Sequence, residues 1–250
     1  MTRAIFLLVF LALTACGDSD FVNCVEGMDD LDLNIESCTR AMEANGLPDE
    51  DLAKILNSRG SAYYYNGEYN RAIADFDESI WLIPNSAVAY FNRGWAYTEK
   101  DEYNRAIMDF DEAIRLGGED ANYVRGRGRA YYLKGEYDRA IEDFDQAIRI
   151  KPDDANAMNT MAWILATARN TDIRDGHEAV RLAQEATRLI DAPAFRDTLA
   201  AAYAEAGRFD DAVAEQERAI EMLRTAGRDD EVADYQNRLD LYRYGQPYRE

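Results

Sequence analysis

The chain has 250 residues, of which 47% are hydrophobic, and its formal net charge at pH 7 is −20. This hydrophobic content supports a packed core and excludes a disordered acidic tail. The excess of 48 acidic over 28 basic residues repels phosphate backbones, so we expect no nucleic-acid partner.

Residues 1–15 have the organisation of an export signal. Arg3 gives a positive start, and residues 4–13 form an apolar run that is shorter than the roughly 18 residues a membrane span needs. The Leu-Thr-Ala-Cys sequence that ends at Cys16 resembles the lipobox of bacterial lipoproteins, and an ordinary secretory signal is the alternative. The resemblance implies a lipid on Cys16 that anchors the protein to a membrane. In that family the residue after the lipidated cysteine helps to sort the protein between membranes. Because this residue is Gly17 and not an aspartate, the resemblance favours the outer membrane over the inner membrane.

Residues 16–52 are expected to form the lipid-anchored N-terminus and one degenerate helical unit. Of the three cysteines, the lipid would take Cys16, which leaves Cys24 and Cys38 as a pair. An even remainder in an oxidising compartment predicts a disulfide, and two buried free thiols are the alternative. Such a bond would hold the weak first unit together, at the end where a repeat array frays first.

The middle of the chain has a period of 34 residues. A period of this length is typical of stacked helical units, none of which buries its apolar face alone. Five columns of identical residues recur in register. They are Gly60, Gly94 and Gly128; Tyr63, Tyr97 and Tyr131; Ala72, Ala106 and Ala140; Phe76, Phe110 and Phe144; and Ile80, Ile114 and Ile148.

These columns resemble the tetratricopeptide repeat. That family has small residues in the first and second helices of each unit, aromatic residues between the helices and a proline near the end, as at Gly60, Ala72, Phe76 and Pro84. The resemblance implies an all-α fold, a right-handed solenoid of helix–turn–helix units with a C-terminal capping helix. The glycines and alanines would let paired helices approach closely, and the aromatic rings would fill the space between them.

The resemblance divides the chain further. It implies three regular units over residues 53–154, two divergent units over residues 155–226, and a capping helix with a tail over residues 227–250. The stretch from Thr167 to Gly176 is rich in Asn, Asp and Gly and predicts a lengthened turn in the fourth unit. The helical spacing of its apolar residues predicts one apolar face for the capping helix, namely Val232, Tyr235, Leu239 and Tyr242.

The sequence contains no recognisable catalytic set, phosphate-binding loop or metal-ligand spacing, so we expect neither an enzyme nor a cofactor. His177, the only histidine, is expected to be an exposed residue at a helix start. Pairs of aspartates flank the phenylalanine of each regular unit and are expected to face solvent. They are Asp75, Asp77, Asp109, Asp111, Asp143 and Asp145.

The resemblance also implies a concave groove, lined by fixed columns of each first helix. Arg125 and Arg129 lie one helical turn apart in these columns, and their guanidinium groups suit a carboxylate of a partner peptide. Aromatic side chains and arginine are enriched at binding hot spots, although the arginines could instead pair with acids of neighbouring helices. The predicted groove residues are Lys54, Asn57, Tyr64, Phe91, Asn92, Trp95, Asn122, Arg125, Arg129, Tyr132, Asn159 and Trp163.

We therefore predict a lipid-anchored adaptor of the bacterial cell envelope that faces the periplasm and binds other envelope proteins. Its ligands would be peptide segments with acidic side chains or C-terminal carboxylates. One alternative is an assembly factor or chaperone for an exported outer-membrane or pilus component. Another is a glycan- or peptidoglycan-binding module, since Tyr64, Trp95 and Trp163 could stack on sugar rings.

Overall fold

A computed structural model describes residues 20–25, 30–43 and 46–250. Every regular element in these ranges is helical, which confirms the predicted all-α class. No helix within them combines the length and the apolar character that a membrane crossing requires. The predicted signal peptide and the lipid site at Cys16 lie outside the described residues and stay predictions.

The described part of the chain divides into two compact units, one that ends at Glu119 and one that runs from Asp120 to Glu250. In the first unit, a short helical segment at residues 20–25 precedes α1. Helices α2 and α3 pack against each other as a pair, and so do α4 and α5. The helices are α1 (Leu31–Met42), α2 (Asp49–Tyr65), α3 (Tyr69–Leu82), α4 (Ala87–Thr98) and α5 (Tyr103–Gly117).

The second unit is built in the same way. Helices α6 and α7, α8 and α9, and α10 and α11 form packed pairs, and α12 packs on α11. Its elements are α6 (Ala121–Lys134), α7 (Tyr137–Ile150), α8 (Ala155–Thr167), α9 (Gly176–Leu189), α10 (Pro193–Glu205), α11 (Phe209–Thr225), a 3₁₀ turn (Asp229–Glu231) and α12 (Val232–Arg243).

The recurring glycine and phenylalanine columns set the distance between paired helices. Phe76 and Phe110 are completely buried. A Cβ atom built on Gly60 would lie 2.6 Å from the Phe76 ring, and one built on Gly94 would lie 2.9 Å from the Phe110 ring. Both distances are shorter than any normal contact, so the absence of a side chain at these positions is what allows the ring to occupy the space between the helices.

The turns between paired helices contain residues with positive φ angles. Gly67, Gly135 and Gly207 have positive φ angles of 77°, 83° and 76°. Asp101 takes the corresponding place in the second regular unit with φ of 59°, and it is the only non-glycine residue with positive φ in the described ranges. Aspartate tolerates the left-handed region better than most residues, so the turn survives this substitution.

Three of the six recurring aspartates contradict the expectation that they face solvent. Asp75 is 6% exposed, and its two carboxylate oxygens each accept a hydrogen bond of 2.8 Å from the guanidinium group of Arg59. The side chain of Arg59 is 16% exposed, so the pair is largely shielded from water. The same bidentate arrangement recurs 34 and 68 residues later; the pairs are Arg59–Asp75, Arg93–Asp109 and Arg127–Asp143.

The other three aspartates of this set do lie at the surface. The side chains of Asp77 and Asp145 are 53% and 50% exposed, and Asp111 is exposed as well. The two aspartates of each unit therefore differ because they lie two positions apart on one helix. One of them points towards the paired helix and the other points away.

The connection between α8 and α9 spans residues 168–175, close to the predicted lengthened turn. Asp175 caps α9 by accepting hydrogen bonds of 3.0 Å from the backbone N–H groups of His177 and Glu178. His177 itself is exposed, as expected for a residue at a helix start.

Helix α12 covers the end of the second unit. Leu239 and Tyr242 are 2% and 1% exposed, and Val232 and Tyr235 are half-buried, so the four predicted residues share the covered face. A buried carboxylate with two hydrogen-bond donors also attaches α12 to the second unit, and the sequence pattern did not predict it.

That centre is Asp197 of α10, which is 6% exposed. Its Oδ1 atom accepts hydrogen bonds of 2.7 Å from Arg238 of α12 and of 2.7 Å from Gln216 of α11. Burial raises the pKa of the Asp197 carboxyl, because water no longer solvates its charge. The arginine supplies the opposite charge that a buried carboxylate requires.

At the other end of the described chain, Cys24 and Cys38 are completely buried and pack with Ala41 and Ile55. Their Cα atoms are 4.7 Å apart, which lies within the range that a disulfide spans. The oxidation state of this pair in the natural compartment stays a prediction.

Candidate functional site

The groove residues predicted in the first unit mostly contact one another or the core. The side-chain amide of Asn92 donates hydrogen bonds to Oδ1 of Asn57 at 3.1 Å and to the hydroxyl of Ser61 at 3.4 Å. Phe91 and Trp95 are half-buried and pack edge-on against the buried ring of Phe110, at centroid distances of 5.9 Å and 5.7 Å. These aromatic rings therefore support the helix pair as well as lining its surface.

Two other predicted residues of this unit lie at or near its surface. Lys54 forms an ion pair of 3.0 Å with Asp51, one turn away on α2, and Tyr64 packs against Tyr69 at 5.8 Å. A surface cavity of about 410 Å³ lies between α2, α3 and the start of α4. It is lined by Glu50, Ala53, Lys54, Asn57, Ser79, Ile83, Ser86 and Val88.

In the second unit, Arg125 is engaged by the protein itself. Its Nε atom lies 3.1 Å from Oδ2 of Asp154, and its Nη2 atom donates to Oδ1 of Asn122 at 3.1 Å. Asp154 is 5% exposed and also caps α8 through the N–H group of Ala157. The alternative that these arginines pair with acids of neighbouring helices therefore describes Arg125.

Arg129 differs from Arg125. It lies one turn further along α6 and is exposed, and it makes no hydrogen bond or ion pair with the residues that the structure describes. It is close enough to Tyr132 for its charge to favour the ionised phenol. In a chain of net charge −20, an exposed arginine without an acidic partner is an available site for an anion.

Tyr132 and Trp163 lie on different helices, and both bind the side chain of Glu250. The phenol of Tyr132 on α6 donates a hydrogen bond of 2.7 Å to Oε1 of Glu250. The indole N–H of Trp163 on α8 donates one of 3.0 Å to Oε2 of the same residue. Two neutral donors thus hold both oxygens of one carboxylate, and we call Arg129, Tyr132 and Trp163 the carboxylate site.

The pKa of Tyr132 is consistent with this role. Burial raises it well above the ordinary value for tyrosine, and the hydrogen bond to Glu250 and the charge of that carboxylate raise it further. The phenol therefore keeps its proton throughout the physiological range and acts as a donor to an anion.

The remaining groove residue of this unit, Asn159, is half-buried on α8. Its Oδ1 atom is shielded from solvent and has no hydrogen-bond partner in the described part of the chain. Such an acceptor is costly to leave unpaired, so a donor from a ligand or a water molecule would stabilise it.

Some residues at the carboxylate site were not identified from the sequence. Nε of Arg169, just after α8, donates to the main-chain oxygen of Glu250 at 2.6 Å, and the N–H of Glu250 donates to the main-chain oxygen of Thr167 at 3.1 Å. Glu250 is 118 positions from Tyr132, and no local pattern in a sequence signals such a contact. Arg169 belongs to a connection outside the repeat, so the family columns do not predict its position.

In the part of the chain that the structure describes, no group of three or more His, Cys, Asp or Glu residues is arranged to hold a metal ion. The polar chemistry gathered at the carboxylate site consists of hydrogen-bond donors and one free cation. It suits the recognition of an anion and does not by itself provide a nucleophile or a general base.

Comparisons with known proteins agree with this architecture. Two family models described as tetratricopeptide repeat match the sequence, one at residues 57–117 and 91–155 and the other at residues 195–230. Together they account for more than half of the chain. No curated protein matches the sequence.

Solved structures of tetratricopeptide repeat proteins have a similar fold. TTC0263 from Thermus thermophilus is 19% identical with a TM-score of 0.58, and the match covers 77% of this chain and 99% of that protein. YrrB is 23% identical with a TM-score of 0.56, covering 75% and 93%. Cut9, in the Cut9–Hcn1 hetero-tetramer of the APC/C, is 16% identical with a TM-score of 0.66, covering 87% of this chain and 43% of that one.

Proposed function

Because the chain belongs to the tetratricopeptide repeat family, whose members act as scaffolds for protein–protein interaction, we propose that it is a scaffold for peptides with acidic side chains. The peptide would bind on α6 and α8 of the second unit, with an acidic side chain in the carboxylate site. We propose no catalytic role for it.

One observation carries this proposal. The carboxylate of Glu250 already lies between the phenol of Tyr132 and the indole of Trp163, with a donor for each of its oxygens. Arg129 is close enough to Tyr132 for its charge to act on the phenol, and it has no acidic partner among the described residues. This contact of Glu250 supports an acidic side chain as the group that the surface binds. Among the proteins of similar fold, YrrB has an unusual peptide-binding site, which supports a peptide as the ligand.

We place this scaffold in the bacterial cell envelope, attached by lipid on Cys16 to the outer membrane. Support for this location comes from the sequence of residues 1–17 alone. Metabolic labelling with a palmitate analogue tests it: the wild-type chain should become labelled and sediment with membranes, and Cys16→Ala should do neither. A labelled Cys16→Ala variant would overturn the assignment.

The binding proposal is tested with an array of peptide pairs that are identical except for one Glu or Gln. We expect the Glu member of a pair to bind about tenfold more tightly, because each charge-assisted hydrogen bond contributes about 1.5–3 kcal/mol and about 1.4 kcal/mol is a factor of ten. Arg129→Ala and Tyr132→Phe should remove this preference. Arg149→Ala, which removes an exposed arginine from α7, is the matched control and should keep it.

The result that would overturn the proposal is equal binding of Glu and Gln peptides by the wild-type chain. An undiminished preference in both Arg129→Ala and Tyr132→Phe would mean that acidic peptides bind elsewhere.

A further inference from the structure

Residues 248–250 of this chain occupy the proposed peptide surface, and each of their side chains has a partner there. The ring of Tyr248 packs on Trp163 with a centroid distance of 5.8 Å. Arg249 forms an ion pair with Glu205, whose other oxygen accepts a bond of 2.9 Å from Arg174. The carboxylate of Glu250 fills the carboxylate site. An aromatic, a basic and an acidic side chain thus follow one another along the surface.

The backbone of this segment is bound as well. The N–H of Glu250 donates to the main-chain oxygen of Thr167 at 3.1 Å, and its own main-chain oxygen accepts a bond of 2.6 Å from Arg169. Nη1 of Arg249 donates to the main-chain oxygen of Ala166 at 3.1 Å. Main-chain contacts combined with side-chain partners are the way in which extended peptides are recognised.

The capping helix α12 has attachments that do not involve this segment, although the guanidinium carbon of Arg238 also lies 5.6 Å from the centroid of the Tyr248 ring. Helix α12 is fixed by the buried side chains of Leu239 and Tyr242 and by the ion pair between Arg238 and Asp197. Residues 248–250 follow this helix after a short link in which Tyr244 is 82% exposed and Gly245 has φ of 67°. Because the link has few buried contacts and Glu250 itself is exposed, the segment can detach without unfolding the helices.

We propose that residues 248–250 are an internal ligand that competes with partner peptides for the carboxylate site. This inference rests on the proposed function, and it specifies the partner: a peptide with an aromatic, a basic and an acidic residue in consecutive positions. A partner with this chemistry displaces the segment, so binding becomes sensitive to anything that changes how tightly the segment is held.

The competition has a simple quantitative form. The apparent dissociation constant of a ligand is its intrinsic value divided by the fraction of protein whose site is open. A segment that is docked in about nine molecules out of ten weakens every ligand about tenfold. Since this factor is the same for Glu and Gln peptides, the preference measured on the peptide array still tests the proposed function independently of the competition.

The test uses a fluorescein-labelled peptide with the sequence of residues 244–250, made with a free and with an amidated C-terminus, and measures its binding by anisotropy. The full chain with the double substitution Tyr248→Ala and Glu250→Gln should bind the probe about tenfold more tightly than the wild type. Tyr244→Ala, a change in the exposed link, is the matched control and should bind it as the wild type does.

A second measurement observes the docked segment directly. The indole N–H of Trp163 donates to Glu250, so its nitrogen–proton resonance should move in Glu250→Gln and stay in place in Tyr244→Ala. An unchanged resonance in Glu250→Gln would mean that the segment is not docked in solution, and the inference would fail.

Other outcomes are equally decisive. Equal affinity of the probe for the wild type and the double variant would overturn the inference and leave the proposed function to the peptide array. Failure of the double variant to bind the probe would mean that the chemistry of this segment is not recognised, and the inference would again fail. Concentration-dependent dimers of the wild type that disappear in the double variant would place the segment on a second copy, against the internal form proposed.

Discussion

The buried pair of Arg59 and Asp75 provides a sharp test of how the repeat units are held together. Asp75→Ala removes the carboxylate and leaves the guanidinium group of Arg59 with one remaining hydrogen bond, to the hydroxyl of Thr39 at 3.3 Å. The hydrogen bond to Asp75 is the main reason why the pKa of Arg59 is raised, and an arginine stays charged even without its partner. The variant therefore carries an uncompensated cation between two helices.

The burial of the ion pair determines how much unfolding free energy Asp75→Ala should lose. Removing one partner of a fully buried ion pair costs about 3–5 kcal/mol, and the two hydrogen bonds lost here are both charge-assisted. The Arg59 side chain is 16% exposed and can recover part of its hydration. We therefore expect a loss of about 3 kcal/mol in the free energy of unfolding of the first unit.

The assay is urea denaturation followed by circular dichroism, combined with hydrogen exchange of peptides from α2 and α3. A cost of about 3 kcal/mol corresponds to a decrease in protection of about two orders of magnitude. Asp51→Ala is the matched control, because its ion pair with Lys54 lies at the surface with side chains 35% and 55% exposed. Pairs of that kind contribute about 0.2–1 kcal/mol.

Equal losses in the free energy of unfolding for Asp75→Ala and Asp51→Ala would mean that the buried ion pair stabilises the fold no more than a surface pair does. A second comparison separates the loss of the ion pair itself from the effect of the unpaired charge that remains on Arg59. The double variant Arg59→Met with Asp75→Leu removes both charges, and it should be more stable than Asp75→Ala because no unpaired cation remains. If the double variant were instead the less stable of the two, the uncompensated charge would not be the cause of the loss.

Three further predictions concern packing, pH and the cysteines. Gly60→Ala places a Cβ atom 2.6 Å from the buried ring of Phe76, so the free energy of unfolding in urea should fall by about 1–2 kcal/mol, even after the gain in helix propensity. Gly128→Ala, whose Cβ would lie 3.0 Å from Cβ of Asp143, should lose less. A larger loss in Gly128→Ala than in Gly60→Ala would contradict this explanation. Hydrogen bonds from a neighbouring lysine and arginine lower the pKa of Glu136 below the ordinary 4.5, so its stabilising effect is present above pH 4.5 and is lost as the pH falls through the lowered pKa. The melting temperature should therefore fall less steeply between about pH 7 and pH 3 in Glu136→Gln than in the wild type. An identical dependence of the melting temperature on pH in the two proteins would exclude this contribution of Glu136. If Cys24 and Cys38 are bridged in the exported protein, mass spectrometry of unreduced peptides should find them linked, and reduction should cost about 3 kcal/mol; two free thiols would contradict the prediction.

The repeat columns were sufficient to predict the fold, and the reason is physical. A period of 34 residues with small residues facing aromatic ones specifies how two helices approach each other, whatever the rest of the sequence contains. The space that Gly60 leaves for Phe76 is a contact within one unit, so a local pattern encodes it. The apolar face of α12 was predictable for the same reason, because it depends on the spacing of residues within one helix.

The candidate site was predictable only in part. The family columns brought Arg125, Arg129, Tyr132 and Trp163 into consideration, because those columns share one side of each first helix. They could not distinguish between the two arginines. Arg125 is paired because Asp154, which precedes α8 at the start of the next unit, comes within 3.1 Å of it, and the family columns do not specify that distance.

The helical units and their contacts between glycine and aromatic residues follow from the sequence alone, because each depends on residues within one repeat. Two other features depend on tertiary packing: Asp75 is buried with Arg59 while Asp77 stays exposed, and Glu250 lies against Tyr132 and Trp163. These contacts join separate segments of the chain, up to 118 positions apart. Their formation depends on the packing of whole helices, which no short pattern of residues specifies.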